Sequence, residues 1–204
     1  MAGDEQMRFL EPENNTNTEL RKNISLYLHD LTYMILAAIL VFLLVFRVAL
    51  VSGDSMYSTL IDGDYLLLLS NVFYHDPEPK DIIVISKKSY DNGSPIIKRV
   101  IATEGQIVDI DFDQGIVYVD GLPLQEDYIE NLTTLQEGMG FPLLVEDGCL
   151  FVMGDNRMVS KDSRSPEIGL IDTREVLGKA IFLVYPGVDD YTGLQEFKRI
   201  GAVK

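Results

Sequence analysis

Apolar and polar positions divide the chain into two regimes. Residues 31–51, LTYMILAAILVFLLVFRVALV, are apolar at nearly every position, and Arg47 is the only charge among them. About 20 apolar residues at 1.5 Å each make roughly 30 Å of helix, the thickness of a bilayer's hydrocarbon core. A core helix of a soluble protein would rarely be apolar on all sides over this length. A cleaved secretory signal would have an apolar region of only about 7 to 15 residues. The pattern therefore predicts an uncleaved membrane anchor over 31–51, with Arg47 near enough to its end to snorkel to the interface. Beyond it the pattern shortens. DYLLLLS, DIIVIS, PIIKRVIA, QIVDIDF, GIVYVDG, CLFVMGD and KAIFLVYP are rich in β-branched and aromatic residues and are mostly separated by Gly, Asp, Asn or Pro. Each predicts a strand. DFDQGIVYVDGLPL predicts a hairpin turning near Asp113 to Gly115, and residues 123–147 are irregular enough that no element is assigned. The expected fold is mostly β: one β-rich domain over 52–204, preceded by an N-terminal tail (1–30) and one transmembrane helix (31–51).

Charge adds an orientation. Arg21 and Lys22 precede the apolar segment, whereas Arg47 is the only basic residue close behind it until Lys80. The positive-inside rule then predicts a single-pass cell-membrane protein with its tail in the cytoplasm and residues 52–204 outside. The first 20 or so residues are polar and are expected to lack order. A formal net charge of -15 argues against a nucleic-acid partner. With one cysteine, Cys149, and two histidines, His29 and His75, neither an internal disulfide nor a metal cluster is expected. No cofactor is expected either.

Three segments carry candidate chemistry. In SGDSMYSTL, residues 52–60, Ser55 follows directly on the anchor, and a linker or a nucleophile would both fit there. A serine hydroxyl needs a base. His29 lies on the far side of the apolar segment and His75 sits in a loop-like stretch without a motif. Lysine is the other choice, but with a pKa of about 10.4 it must be desolvated to act near neutrality, and lowering that pKa to about 8 costs about 3 kcal/mol. PIIKRVIA offers such a setting: in a strand, Ile96, Lys98 and Val100 share one face, and Lys98 is its only charge. An edge lysine that discourages aggregation would read the same way. The third segment, GDNRMVSKDSR (154–164), favours a turn whose Asp and Arg residues can lock one another, or else a solvated charged loop.

Together these segments resemble the bacterial type I signal peptidases, compact single-anchor type. The likeness lies in Ser-Gly-x-Ser-Met with Thr-Leu, Lys-Arg-Val about forty residues on, and Gly-Asp-Asn-Arg-x-x-Ser-x-Asp-Ser-Arg, in that order behind an anchor. KDIIVIS and REVLGKAIFLVYP resemble further family segments, so the likeness spans roughly residues 30 to 190. The resemblance implies a β-rich catalytic domain and a serine endopeptidase that removes signal peptides from exported preproteins. It implies Ser55 as nucleophile, Lys98 as general base, and Ser160 as the serine that holds the lysine amine. Asp162 and Arg164 would support the site, with Gly154, Asp155, Asn156 and Arg157 in the same loop. Val51, Gly53, Met56, Leu60, Ile96 and Ile97 would line shallow pockets for small substrate side chains. Expected partners are preproteins and the lipid bilayer, with the secretion machinery as a further candidate.

Four positions depart from the pattern of the family it resembles: Ser58 stands for proline, Met158 and Val159 for polar residues, and Lys80 for glycine. A non-enzymatic relative serving pilus or surface-protein assembly is the alternative. Such a relative would lack the serine or the lysine, and this chain has both.

Overall fold

The structure, a computed structural model, describes residues 13–203; residues 1–12 of the expected tail lie outside them. Helix α1 spans Glu13–Val45; it forms one compact unit up to Leu43, and the chain from Leu44 onward forms a second. Within α1, Glu19–Val45 is long and apolar enough to cross a membrane, reaching about 40 Å at 1.5 Å per residue. Apolar side chains from Ile39 to Leu44 are exposed at consecutive positions, so no side of this stretch is polar.

Two expectations change here. The tail is already helical from Glu13 rather than lacking order up to about residue 20. The helix stops at Val45 instead of running to residue 51, because Phe46–Leu50 forms strand β1. Its register against β2 (Tyr65–Ser70) runs from Phe46↔Leu69 to Leu50↔Tyr65. Bonds from Val51 N to Asp64 O (2.8 Å) and Gly63 N to Val51 O (3.0 Å) close the connection. Apolar content cannot separate the last turn of an anchor from an apolar strand; the pairing partner does.

The remaining strands are β3 (Ile82–Ile85), β4 (Ile96–Thr103), β5 (Ile107–Asp111), β6 (Ile116–Val119), β7 (Leu122–Pro123), β8 (Leu143–Leu144), β9 (Cys149–Met153), β10 (Ile171–Asp172), β11 (Val176–Tyr185) and β12 (Gly201–Ala202). All seven strand segments read from the sequence are strands. The larger sheet runs β1-β2-β11-β3-β4-β9-β10 with β12 on β11, and the smaller runs β7-β6-β5-β8. The β5–β6 hairpin turns as expected, with Gly115 at φ +70.

The period of two explains the core. Ile82 and Val84 of β3 pack into one cluster with Val51, Met56, Leu60, Leu66 and Leu68. Ile83 and Ile85 face the other side, with Val100, Leu150 and Val152. Phe151 and Met153 of β9 instead meet Val108, Ile110 and Val117 of the smaller sheet, which joins the two sheets. Strand β4 lies between β3 and β9, so Lys98 is not on a sheet edge. Lys80, where the family uses glycine, has φ +77, a conformation that costs an L-residue about 1–2 kcal/mol.

Candidate active site

Ser55 stands in a tight turn just beyond β1. Gly53, at φ +84, takes the left-handed conformation that glycine adopts without a steric penalty, and its N–H donates to Asp62 Oδ1 at 2.7 Å. Tyr57 N bonds Asp54 O (3.1 Å) and Leu60 N bonds Met56 O (2.9 Å). Met56 and Leu60, each 1% exposed, anchor the turn in the core and leave Ser55 at its rim.

Lys98 meets it from β4. Its Nζ lies 2.8 Å from Ser55 Oγ and 3.0 Å from Ile97 O. The residue is 4% exposed, and its cross-strand partner Ile83 is fully buried. Burial drives the Lys98 pKa down from 10.5 to about 8, a difference of about 3 kcal/mol. The carboxylates of Asp162, Asp155 and Glu137 pull it the other way, and Arg164 assists the burial. Desolvation wins because no carboxylate is bonded to the amine among the described residues.

The 154–164 loop holds the serine turn. Asn156 donates its backbone N–H to Ser55 O and its Nδ2 to Asp54 O, both at 3.1 Å. Gly154 is the point of closest approach: a Cβ there would lie 2.4 Å from Ser55 O and 2.2 Å from Ser160 Oγ. Asp162 accepts from Gly154 N (3.0 Å) and pairs with Arg164 through Nε (2.8 Å) and Nη2 (2.9 Å). Asp155 accepts from Arg99 Nε (2.8 Å), Arg99 Nη2 (2.6 Å) and Thr59 Oγ1 (2.6 Å). The loop therefore ties β4 to the serine turn from both sides.

A cavity of about 110 Å³ opens beside the two side chains, lined in part by Val51, Met56, Ile96 and Ile97 as the sequence leads one to expect. Ser52, Val84 and Pro95 line it as well. Gly53 and Leu60 do not: Gly53 points its N–H at Asp62, and Leu60 is consumed by core packing. The expected bond from Ser160 to the lysine amine is not among the contacts of the described residues. Ser160 is buried next to Gly154, but its Oγ has no hydrogen-bond partner. His75 lines a different cavity, with Glu104 and Cys149.

Several residues around the site carry no motif. Glu126 pairs with Arg157 (Nη1 to Oε2 3.1 Å, and Nη2 to Oε1), and Thr133 Oγ1 accepts from the same guanidinium at 2.6 Å. The Tyr128 ring lies 4.0 Å from the Arg99 guanidinium carbon. Arg199 holds the fully buried Asp64 at 2.7 Å and bonds Thr59 O at 3.2 Å. The irregular stretch from 126 to 139 is thus a strap over the arginines of the site.

A family model described as signal peptidase, peptidase S26, matches residues 25–185. The chain belongs to the signal peptidase family, peptidase S26. Probable signal peptidase I-1 of a Synechocystis species is 39% identical over 167 residues, 77% of this chain and 82% of the relative. Signal peptidase I T of Bacillus subtilis is 33% identical over 187 residues, 85% and 94% of the two chains. A crystal structure of a signal peptidase I from Enterococcus faecalis is 30% identical and covers 51% of this chain and 96% of its own, with a TM-score of 0.42. The signal peptidase match takes in all three motif segments and ends at the close of β11.

Proposed function

We propose that this signal peptidase cleaves the signal peptides of exported preproteins with Ser55 as nucleophile and Lys98 as general base. The observation that carries the reading is the 2.8 Å contact between Ser55 Oγ and an amine that is buried and bonded to no carboxylate among the described residues. In the neutral amine the contact reverses, and the Ser55 hydroxyl donates to Nζ. As Oγ attacks the scissile carbonyl carbon, its proton passes to Nζ. The tetrahedral oxyanion takes a hydrogen bond from the Ser55 backbone N–H. The C–N bond then breaks, Nζ returns the proton to the leaving amine, and the signal peptide remains esterified to Oγ. Water, losing a proton to the same amine, releases it. The cavity bounded by Val51, Met56, Ile96 and Ile97 admits only small side chains, which suits small-x-small cleavage sites.

The chain is anchored in the membrane, with α1 as the span. Arg21 and Lys22, in the N-terminal part of α1 before its apolar stretch, support a cytoplasmic N-terminus and an extracytoplasmic peptidase body from β1 (Phe46–Leu50) onward. Its working surroundings are then the outer leaflet of the bilayer and the exit of the secretion machinery.

The test incubates the detergent-solubilised protein with a preprotein bearing a small-x-small site. Wild type is expected to release the mature protein, with kcat/KM rising through about pH 8 as Lys98 loses its proton. Ser55→Ala, Lys98→Ala and Lys98→Arg are each expected to lose about 10³-fold or more, the last because a guanidinium does not deprotonate. Normal processing by either Lys98 variant would reject this assignment.

A further inference from the structure

Glu137 lies in the strap, far from any motif, and its surroundings are unusual for a carboxylate. Its side chain is 13% exposed, Oε1 lies 3.4 Å from Arg164 Nη2, and Oε2 is buried without a hydrogen-bond partner. The backbone around it is fastened to the same arginine. Leu135 O accepts from Arg164 Nη1 at 3.1 Å, and Met139 N donates to Arg164 O at 3.0 Å. Arg164 is therefore gripped by two acids: Asp162 from its own loop and Glu137 from the strap.

Two hydrogen bonds already satisfy Asp162 and Arg164 as a pair, so a second carboxylate is not needed to neutralise the guanidinium. Asp162 of that pair also accepts from Gly154 N, and Gly154 lies against Ser55 O, so the Asp162–Arg164–Glu137 cluster backs onto the serine–lysine pair. Lys98 has no carboxylate bonded to it among the described residues, and the charges of this cluster bear on its ammonium. Around Glu137 itself the charged groups are Asp162, Arg164 and Lys161.

We infer that Glu137 is a positioning residue of the peptidase: it fastens the strap to Arg164 and sets the charge balance under which Lys98 gives up its proton. The inference rests on the serine–lysine reading above. Removing the Glu137 charge leaves Arg164 less compensated by one negative charge. That change disfavours the Lys98 ammonium and weakens the amine as a base once neutral.

The experiment compares pH profiles of kcat/KM for wild type, Glu137→Gln, Glu137→Asp and Glu167→Gln on one preprotein, with thermal unfolding of each. Glu167 pairs with the exposed Lys161 and controls for the loss of a surface charge. Glu137→Gln is expected to move the acid limb down by about half a pH unit or more and to lower the plateau. Half a unit is about a 3-fold gain in relative activity on the acid side. Glu137→Asp, which keeps the charge but draws it back, should move the limb in the same direction by less, and Glu167→Gln should leave it in place. An acid limb at the wild-type position in folded Glu137→Gln would overturn the inference. Should that variant not fold, an unmoved limb in Glu137→Asp would do the same. A wild type inert on preproteins would instead remove the peptidase reading itself.

Discussion

Lys98 and the three arginines near it, Arg99, Arg157 and Arg164, are all buried, yet their surroundings differ in kind. Each arginine has a carboxylate within hydrogen-bond reach: Asp155 for Arg99, Glu126 for Arg157, Asp162 for Arg164. Lys98 has a hydroxyl and a peptide carbonyl. Paired guanidinium groups keep their charge and serve as struts between segments remote in sequence. An amine hydrogen-bonded only to neutral partners has no such direct compensation, and burial drives it toward the neutral form, the form that the proposed role as general base needs. The fold thus pairs each arginine with a carboxylate and leaves Lys98 without one bonded to it among the described residues.

The largest test of that contrast removes a strut. Asp155→Asn takes the paired carboxylate charge away from the buried Arg99, and breaking such a pair costs about 3–5 kcal/mol. Denaturant unfolding should show that loss, and a change under about 1 kcal/mol would mean the arginine pairs are not the scaffold.

Next comes the converse. Lys98→Met removes a buried cation to which no carboxylate is bonded among the described residues, so the variant should be more stable than wild type by up to about 3 kcal/mol at pH 7. The sign follows from linkage. The Lys98 pKa is about 8 in the folded protein and 10.5 unfolded, so below pH 8 the full penalty is present. Between those values the unfolded chain holds a proton that the folded one has released, and wild type gains stability as pH rises. The advantage of Lys98→Met should therefore fade from about pH 8 and vanish above 10.5, which chemical unfolding at pH 7, 9 and 10.5 would reveal. The smallest effect belongs to Arg174→Ala. That arginine pairs with Asp172 in the open, 88% exposed, and its loss should leave the melting temperature unchanged. A clear drop there would show that pairing, rather than burial, carries the cost.

Much of this was legible in the residues. Seven strands follow from alternation and turn chemistry, because burial on a sheet face repeats every two positions. Ser55, Lys98 and the 154–164 loop stand out because their motifs are local, and the structure brings them together. Residues 46–50 were misread because a run of apolar residues reads alike in an anchor and in a strand. Gly53 and Leu60 lie outside the cavity, since adjacency to a nucleophile does not say which way a backbone turns. Ser160 sits beside the site without the expected bond. Glu126, Tyr128, Thr133 and Glu137 lie in a stretch with neither periodicity nor a motif, and Arg199 pairs with a carboxylate 135 residues away.

By itself, then, the sequence determined the apolar helix, seven of the twelve strands of the described residues and the candidate reactive groups, since these depend on local pattern and side-chain chemistry. Only the tertiary structure decided that β4 is an interior strand, that Lys98 has no bonded carboxylate among the described residues, and which acids hold which arginines. Solvation and charge pairing are properties of what surrounds a group. Here many of the surroundings come from segments far apart in sequence, up to 135 residues, brought together by packing that no local pattern records.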